Sequence, residues 1–423
     1  MKETLSSPGN SRTPIFYGWI IVATSFLILF AFNGVIINTF GVFFKPVSES
    51  MGWSRATFSV ALGIGAIAMA VGSPFVGRMM DSFGANKTML VGCLLNGIGM
   101  MWLGKATQLW HFYLLFAVVG LGLAATTAIP VSLLIANWFI RKRGKAMGLA
   151  FMGTSAGGMI MNPVNTHLLH ELGWRNAYIV LGAGMLIFTT PLVLFLVKTR
   201  PSELKLVPDG EEHSADTGAV LTGHTLSEAL RTSAFWFIAA NMFLTTFMAQ
   251  AIGVHCVPYL TDIGHSDMRA AWTYGISLGF MTLGKVVLGA IADRKGSRET
   301  FVLSAIMTAI GIGILMGASP FWAALLFAVV FGFPQGGPLT LTPMVAADCH
   351  GLANFGAIFG AASFFSILGA AVGPIVVGKM YDMSEPHTYQ WAFVLLILMT
   401  LASAYCIHRA RTEPGFATLE RHS

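Results

Sequence analysis

The chain has 423 residues, of which 55% are hydrophobic and only 10% are charged, and its mean hydropathy is +0.70. Soluble domains carry about 25% charged residues because water wets most of their surface, so this composition excludes an ordinary soluble enzyme and indicates a lipid environment. The net charge of +6 first suggests a nucleic-acid partner, but basic residues also collect in the loops on one side of a membrane protein.

Apolar stretches follow one another along the chain, separated by charges or by clusters of Gly, Pro and Asn. A helix needs about 20 apolar residues to cross a bilayer, so each stretch is a candidate span. The predicted spans lie near 16–44, 56–77, 88–104, 110–137, 145–169, 175–197, 233–260, 270–291, 299–317, 320–343, 354–378 and 389–408. They predict an all-α membrane protein with twelve transmembrane helices.

Only one stretch between the spans, 198–231, is long and polar enough to be a substantial loop. We therefore predict an N-terminal six-helix bundle over 1–197, a cytoplasmic linker loop over 198–231, and a C-terminal six-helix bundle with a short cytoplasmic tail over 232–423. With both termini placed in the cytoplasm, the inner segments hold eighteen Lys and Arg and the outer segments six. This asymmetry predicts that orientation, in a cell inner membrane, and explains the positive net charge without a nucleic-acid partner.

The four cysteines lie in or beside apolar stretches and show no paired spacing, which argues against a disulfide framework and a metal site. The chain also lacks a phosphate-binding loop of the G-x-x-x-x-G-K-[ST] kind and a nucleophile elbow. We therefore expect neither an enzyme nor a metal or cofactor, and no transport powered by ATP hydrolysis in this chain.

An internal repeat is the strongest signal in the sequence. The octapeptide Gly77–Gly84, GRMMDSFG, follows the second span, and Gly289–Gly296, GAIADRKG, follows the eighth. Both have the pattern G-x-x-x-D-x-x-G, and the separation from Gly77 to Gly289, which we call the repeat offset, is the same at every position of the motif. Such repeats predict two pseudo-symmetric six-helix bundles, an architecture in which secondary transporters place the substrate between the halves.

At these motifs the chain resembles the major facilitator superfamily. Further strings make it similar to bacterial members of the monocarboxylate transporter family, with a more distant similarity to oxalate:formate exchangers. Those strings are FYGW, FGVFFKPVSESMGWSR, NWFIRKRGKAMG, LGWRNAY, TLSEALRTSAFW, VHCVPYLTDIG and GPIVVGKMYD. The resemblance implies the major facilitator fold, a usually monomeric protein, and symport of small lactate- or pyruvate-like monocarboxylates with protons by alternating access.

In the family, the motif loops act as a latch that breaks when the protein opens inward. The resemblance makes Asp81 and Asp293 latch candidates, and Arg141 and Arg143 are plausible partners for these carboxylates. The motif glycines allow the helix ends to approach closely. The glycines included in this latch are Gly77, Gly84, Gly289 and Gly296.

Lys285, in the middle of the eighth span, is the one formally charged side chain that lies clearly deep in an apolar stretch. A cation in the bilayer costs several kcal/mol by insertion scales, so we expect Lys285 to face a cavity and to have a function. Many relatives carry arginine at the matching position, where it binds the substrate carboxylate. Lysine keeps the charge but not the bidentate fork. Because the eleventh span holds no Lys or Arg, a single cation favours a monoanion.

Several polar and aromatic residues are weaker candidates for the substrate site. Asn33 and Asn38 in the first span can bond a carboxylate or a neighbouring helix. His255 has the pKa range for proton exchange, although a structural histidine is the commoner case. Tyr274 lies on the helical face of Lys285, eleven residues before it. The remaining candidates are Thr154, Gln335, Phe359 and Phe364.

Two other functions stay open at this point. A major facilitator drug exporter, or another organic-anion exporter or exchanger, would tolerate loss of Lys285. A non-transporting membrane sensor would bind the anion without concentrating it in vesicles. No Asp or Glu lies deep in any span, so the group that carries a coupling proton is not identified by the sequence.

Overall fold

The structure is a computed structural model that describes residues 16–53, 55–209, 223–384 and 388–411. In these ranges the chain is helical apart from turns and two isolated β-bridges. Ten of the helices there are long and apolar enough to cross a membrane by themselves. In a bilayer, a helix satisfies its backbone N–H and C=O groups internally, which is why an apolar chain of this composition folds into helices.

Six helices, α1 to α6, precede the linker. α1 contains a π-helical turn, α4 contains a break, and α5 and α6 form one helical stretch that changes direction at Gly173, where φ is 69°. The bounds are Tyr17–Phe32, Asn33–Ile37 (π-helical) and Asn38–Met51 for α1, Arg55–Phe83 for α2, Ala85–Leu103 for α3, Leu109–Ala124 and Ala128–Trp138 for α4, and Arg143–Pro191 for α5 with α6, followed by the π-helical turn Leu192–Leu196.

Six more helices, α7 to α12, follow the linker, after a one-turn helix at Leu226–Ala229. The bounds are Ser233–Asp262 for α7, Asp267–Lys295 for α8, Ser297–Met316 for α9, Phe321–Gln335 and Gly337–His350 for α10, Phe355–Met383 for α11, and Gln390–Arg409 for α12. The twelve helices of the described ranges confirm the predicted all-α fold, and several run past the apolar stretches that predicted them.

Two helices break inside an apolar stretch, α4 and α10. α10 breaks at Gly336, between Pro334 and Pro338, because proline has no N–H to continue the helical ladder. Subtracting the repeat offset from Gly336 gives Ala124, where the first segment of α4 ends. The repeat seen in the motifs therefore extends to the irregularities of the helices.

One end of the bundle carries the turns at 83–85, 139–143, 295–297 and 350–355, together with residues 198–209 of the linker. We call this end the linker face and the other end the opposite face. The two most extensive contacts between the halves are those of α2 with α11 and of α5 with α8.

Glycines make both contacts at the linker face. A Cβ atom added at Gly77 in α2 would overlap the carbonyl of Gly356 in α11. In the same way, one added at Gly144 in α5 would overlap the carbonyl of Gly289 in α8. Two of these glycines open the repeated motifs, so their lack of a side chain lets the halves come together.

The last glycine of each motif has a different task. Gly84 and Gly296 have φ values of 85° and 96°, in a region that L side chains rarely adopt. Each precedes the first residue of the next helix, α3 or α9. The motif thus combines one glycine for close packing with one for a tight turn.

Candidate functional site

The motif carboxylates cap helices of the opposite half. Asp81, at the end of α2, accepts hydrogen bonds from the backbone N–H groups of Gly356 (3.1 Å) and Ala357 (2.8 Å), at the start of α11. The first N–H groups of a helix have no partner within it, and the helix dipole favours a negative charge there. This contact between the halves therefore stabilises the closed linker face.

The second carboxylate repeats this arrangement. Asp293, at the end of α8, accepts from the backbone N–H groups of Gly144 (2.6 Å) and Lys145 (2.9 Å), at the start of α5. Because each carboxylate binds two N–H groups of the other half, closure of the linker face rests on two equivalent charge-assisted pairs of hydrogen bonds. The sequence identified the carboxylates but not their backbone partners.

The two arginines make other contacts at the linker face. The Arg143 guanidinium pairs with Asp348 of α10, in the other half, at 3.4 Å, and also donates to the carbonyl of Phe139. Burial lowers the pKa of Arg143, and the negative charges of Asp348, Asp209 and Asp293 act in the opposite direction. The ion-pair partner of Arg143 is therefore Asp348. This residue lies outside the repeated motif, and the sequence did not identify it as a partner.

The linker is fastened to the corresponding turn of each half. Asp209 forms a β-bridge with Phe139, and Gly223 forms one with Gly351, which follows Phe139 by the repeat offset. The Asp209 carboxylate also accepts from the backbone N–H groups of Arg141 (3.1 Å) and Lys142 (3.0 Å). Arg141 therefore contributes its backbone to a linker contact. In the sequence, one signal could have indicated these attachment points: the repeat offset leads from Phe139 to Gly351.

Lys285 lies between the halves. Its ammonium group donates to the hydroxyls of Thr154 (2.7 Å) and Ser155 (2.8 Å) and to the carbonyl of Phe151 (3.2 Å), all in α5. These three acceptors use the three donors of a lysine. It is 2% exposed, and among the residues whose side chains the structure describes it is the one buried Asp, Glu, Lys or Arg. The structure thus brings together two predicted residues, Lys285 and Thr154, and adds Ser155.

A cavity of about 260 Å³ lies beside Lys285, between the halves. The predicted residues Gln335 and Phe359 line it, and so does Met281, one turn before Lys285. Lys285 itself is not a lining residue in this conformation, because its ammonium group is turned toward α5. The lining residues are Met69, Ser73, Ala124, Thr127, Ala128, Ile129, Met242, Thr245, Thr246, Ala249, Met281, Gln335, Pro338, Leu339, Thr342, Pro343, Phe359, Ser363, Ser366 and Ile367.

Asn33 and Phe364 lie outside this cavity lining. The Asn33 amide donates to the carbonyl of Leu29 (3.1 Å) within α1. The Asn38 side chain lies outside the described part of the chain. Phe364 packs edge-on against Phe365, with ring centroids 5.6 Å apart.

His255 and Tyr274 lie toward the opposite face. His255 Nε2 is 3.0 Å from the carbonyl oxygen of Pro374, and Nδ1 is 3.3 Å from the hydroxyl of Tyr389. Since a carbonyl only accepts, Nε2 carries the proton and Nδ1 accepts from Tyr389. Both ring nitrogens thus join α7 to α11 and α12. Tyr274 places its hydroxyl beside Gly253, in the α7–α8 contact.

A second cavity, of about 420 Å³, opens at the linker face outside the contact between the halves. It lies between the turn that ends α2 and the linker, and Asp81, Lys87, Arg200 and Glu203 line it with both signs of charge. In the residues that the structure describes, no group of three or more His, Cys, Asp or Glu side chains is placed to hold a metal ion.

The chain is similar in sequence to known membrane transporters. The family model of the major facilitator superfamily matches residues 25–298 and 257–421. An MFS-type transporter of Gibberella moniliformis is 27% identical over 356 residues, which are 83% of this chain and 81% of that protein. Monocarboxylate transporter 13 of Bos taurus is 24% identical over 412 residues, covering 94% and 92% of the two chains.

A solved structure is also similar, that of the proton:xylose symporter XylE bound to 6-bromo-6-deoxy-D-glucose. The TM-score is 0.69 at 13% identity, over 95% of this chain and 99% of that chain. At this identity the likeness shows the fold alone.

Proposed function

Because the chain belongs to the major facilitator superfamily, we propose that it carries monocarboxylate anions across the membrane by alternating access, with Lys285 binding the carboxylate. Membership of this family makes the protein a multi-pass membrane transporter and not an enzyme. The monocarboxylate transporters among its relatives support the substrate class.

The observation that carries the proposal is the position of Lys285. A buried cation is costly unless it is paired, and here it meets only neutral acceptors of α5. A carboxylate that reaches Lys285 supplies the missing negative charge and a stronger, charge-assisted hydrogen bond. The site is thus suited to one anion, since none of the described residues around the cavity adds a second cation.

The positions of the contacts between the halves support alternating access. In this conformation both motif carboxylates cap the opposite half, and the glycine contacts close the linker face. Separation of the halves at this face breaks those contacts and the bonds from Lys285 to α5. We propose that substrate binding replaces the Thr154 and Ser155 hydroxyls as partners of Lys285, so that the halves separate only when the cation has an anion.

We also propose that transport is coupled to protons. Lys285 is a buried ionisable group one helical turn from the lining residue Met281, and no Asp or Glu is among the described residues that line the cavity. In this conformation Lys285 is protonated without an anion. If it loses that proton after the anion leaves, the neutral amine lets the empty halves separate, and proton and anion are carried together. An imposed pH gradient should then drive anion uptake.

Proteoliposome uptake tests this function. Labelled lactate and pyruvate are offered to vesicles containing wild type, Lys285→Ala, Lys285→Arg or Lys295→Ala, with and without a pH gradient that is acidic outside. We expect gradient-dependent uptake by wild type and by Lys295→Ala, whose lysine lies exposed at the end of the same helix. Lys285→Ala should lose it, and Lys285→Arg should keep binding of some monocarboxylates.

The outcome separates the candidate functions. Unchanged anion uptake in Lys285→Ala would contradict the role of this lysine and favour an exporter of other compounds. Anion binding without accumulation in any vesicle would favour a non-transporting sensor. Uptake that depends on Lys285 but ignores the pH gradient would remove the proton coupling and leave anion exchange.

We propose that the linker face is cytoplasmic and that the protein resides in the inner membrane. The excess of Lys and Arg in the segments on this side supports the orientation. A membrane-impermeant maleimide added to intact cells should label Lys105→Cys, at the opposite face, and not Lys142→Cys, at the linker face. The reverse labelling pattern would invert the topology.

A further inference from the structure

The cavity between the halves offers an anion few hydrogen-bond donors. None of the described residues that line it carries a formal charge. Five of its hydroxyl groups donate their only O–H to a backbone carbonyl. Four of them donate to the residue four positions earlier, at 2.7 Å in each case: Ser73 to Met69, Thr127 to Leu123, Thr245 to Asn241 and Ser363 to Phe359. The Thr246 hydroxyl has the carbonyls of Ser366 in α11 (2.6 Å) and of Met242 (2.7 Å) as acceptors.

A hydroxyl that has used its proton can only accept a further hydrogen bond. A carboxylate is itself only an acceptor, so these five hydroxyls do not solvate it, and the remaining polar lining groups are those of Gln335, Thr342 and Ser366. The remaining surface is largely apolar, with Met69, Met242, Met281, Phe359 and Ile367 among its members. The cavity therefore suits the apolar body of a ligand and not its charged head.

The cavity is also large for a three-carbon acid. Its volume is about 260 Å³, whereas an engineered apolar cavity of about 150 Å³ already holds benzene. A small anion such as lactate would leave much of this space to water, next to apolar walls. A larger apolar group would displace that water and bury its surface.

Lys285 lies directly behind one wall of the cavity. Met281 precedes it by one helical turn and so shares its face of α8. On the other side, the hydroxyl of Thr340 in α10 donates to the Lys285 carbonyl (3.4 Å), and a Cβ atom at Gly336 would overlap the Lys285 backbone nitrogen. Gln335, adjacent to Gly336, lines the cavity. A ligand in the cavity therefore has its nearest cation at this wall.

We propose that the substrates are monocarboxylates with a bulky apolar body, branched, long-chain or aromatic, whose body fills this cavity while the carboxylate binds Lys285. The inference rests on the proposed function and sharpens it, because it selects by size within the monocarboxylates. The smallest acids remain weak ligands.

Titration calorimetry with the purified full-length protein tests the inference on linear 2-oxo acids from pyruvate to 2-oxohexanoate, followed by phenylpyruvate. The head group is constant in this series. Each added CH₂ should tighten binding roughly fourfold while the cavity has room, from about 0.8 kcal/mol of burial per CH₂. The uncharged amide of the best acid should bind at least about tenfold more weakly, because its neutral carbonyl accepts a weaker hydrogen bond from Lys285 than a carboxylate does.

A matched pair of variants tests the location. Ala249 lines the cavity in α7, and Ala240 lies nine residues earlier, on the opposite side of the same helix. Ala249→Leu should weaken binding of phenylpyruvate at least about tenfold and leave pyruvate within about twofold. Ala240→Leu should leave both unchanged, which controls for an added leucine in α7.

The outcomes distinguish this inference from the function on which it rests. A flat size series, with no selective effect of Ala249→Leu, would overturn the inference while the monocarboxylate function stands. Equal binding of the acid and its amide, or no binding of any acid, would overturn the monocarboxylate function itself. Rising affinity with size, lost selectively in Ala249→Leu, supports both.

Discussion

The two contacts between the halves have the same backbone packing and different chemistry. Gly148 of α5 lies against the Lys285 carbonyl in α8, and Gly360 of α11, its equivalent in the repeat, lies against the Ser73 carbonyl in α2. Ser73 likewise precedes Lys285 by the repeat offset. The repeat therefore supplies two equivalent contacts between a glycine and a backbone carbonyl. The carbonyl belongs to Lys285 in one contact and to Ser73 in the other.

The partners of these two positions differ as well. Lys285 donates to Thr154 and Ser155, which fill the α5–α8 contact. The corresponding residues of α11 are Ser366 and Ile367, and both line the cavity beside Ser73. One contact thus holds the buried charge and the other leaves open space. Glycine packing therefore brings the helices together in both contacts, while the buried cation lies in only one of them.

The largest effect should come from replacing the glycine of either contact, Gly148 or Gly360, with a larger residue. Gly148→Val and Gly360→Val each put methyl groups against a backbone carbonyl of the other half, and overpacking of this kind costs about 1–3 kcal/mol or more. Both variants should open the linker face, measured as faster maleimide labelling of Ala357→Cys, which is buried there.

Gly148→Val should weaken anion binding more than Gly360→Val, because it displaces the helix segment that carries Lys285. Equal losses of anion affinity in the two valine variants would contradict the asymmetry between the contacts. A leucine at Gly313, where nothing lies within 4 Å of an added Cβ, serves as the control.

The motif carboxylates should have the next largest effect. Asp81→Asn and Asp293→Asn each replace a charge-assisted pair of hydrogen bonds at a helix N-terminus, worth about 1–3 kcal/mol. Asp81→Asn should open the linker face more than Asp293→Asn does. Asp293 lies close to the carboxylate of Asp209, so Asp293→Asn also removes a repulsion between like charges, which offsets part of the stabilisation that this variant loses. Labelling of Ala357→Cys gives the ranking, and the opposite order would show that Asp209 does not oppose Asp293.

A smaller effect should follow from loss of the α5 hydroxyl. Thr154→Val removes one partner of Lys285 at nearly constant size and should weaken the closed state by about 1 kcal/mol. Ser366→Ala, at the equivalent position of α11, should change closure by less, since no cation lies opposite it. The same labelling assay compares the two, and equal rates would remove the distinction drawn between them.

The Arg143–Asp348 ion pair should contribute least. Its side chains are 13% and 49% exposed, and pairs of this kind contribute about 0–1 kcal/mol. A double-mutant cycle with Arg143→Met and Asp348→Asn should therefore give a small coupling energy that falls further at high salt. A coupling above about 2 kcal/mol would make this pair a principal element of closure.

The periodicity of the sequence was sufficient for the fold and for the position of Lys285 in it. Apolar length predicted each helix, and the G-x-x-x-D-x-x-G repeat predicted the relation between the halves. Helix ends were less accurate: α2 extends to Phe83 and α11 to Met383, beyond the apolar stretches, because a helical ladder continues into polar residues. The break in α10 at Gly336 falls in the string FPQGGP, whose prolines and glycines predict it although hydropathy alone reads the stretch as continuous.

The partners of the site residues could not be predicted in the same way. Thr154 and Ser155 lie far from Lys285 in the sequence, in the other half of the chain, and hydropathy does not give the rotation of one helix against another. Asp81 and Asp293 were found by their motif, but their partners are backbone N–H groups, which every residue except proline carries. Only packing of the halves selects which N–H groups they meet.

Chemical restoration of the charge at position 285 tests the central claim most directly. Lys285→Cys is assayed in proteoliposomes with a monocarboxylate that wild type transports, then treated with a methanethiosulfonate reagent that adds either an aminoethyl or a methyl group. The account predicts that uptake is lost in Lys285→Cys, returns with the aminoethyl group and stays lost with the methyl group, while treated wild type is unchanged. Full uptake by untreated Lys285→Cys, or equal recovery with both reagents, would contradict it.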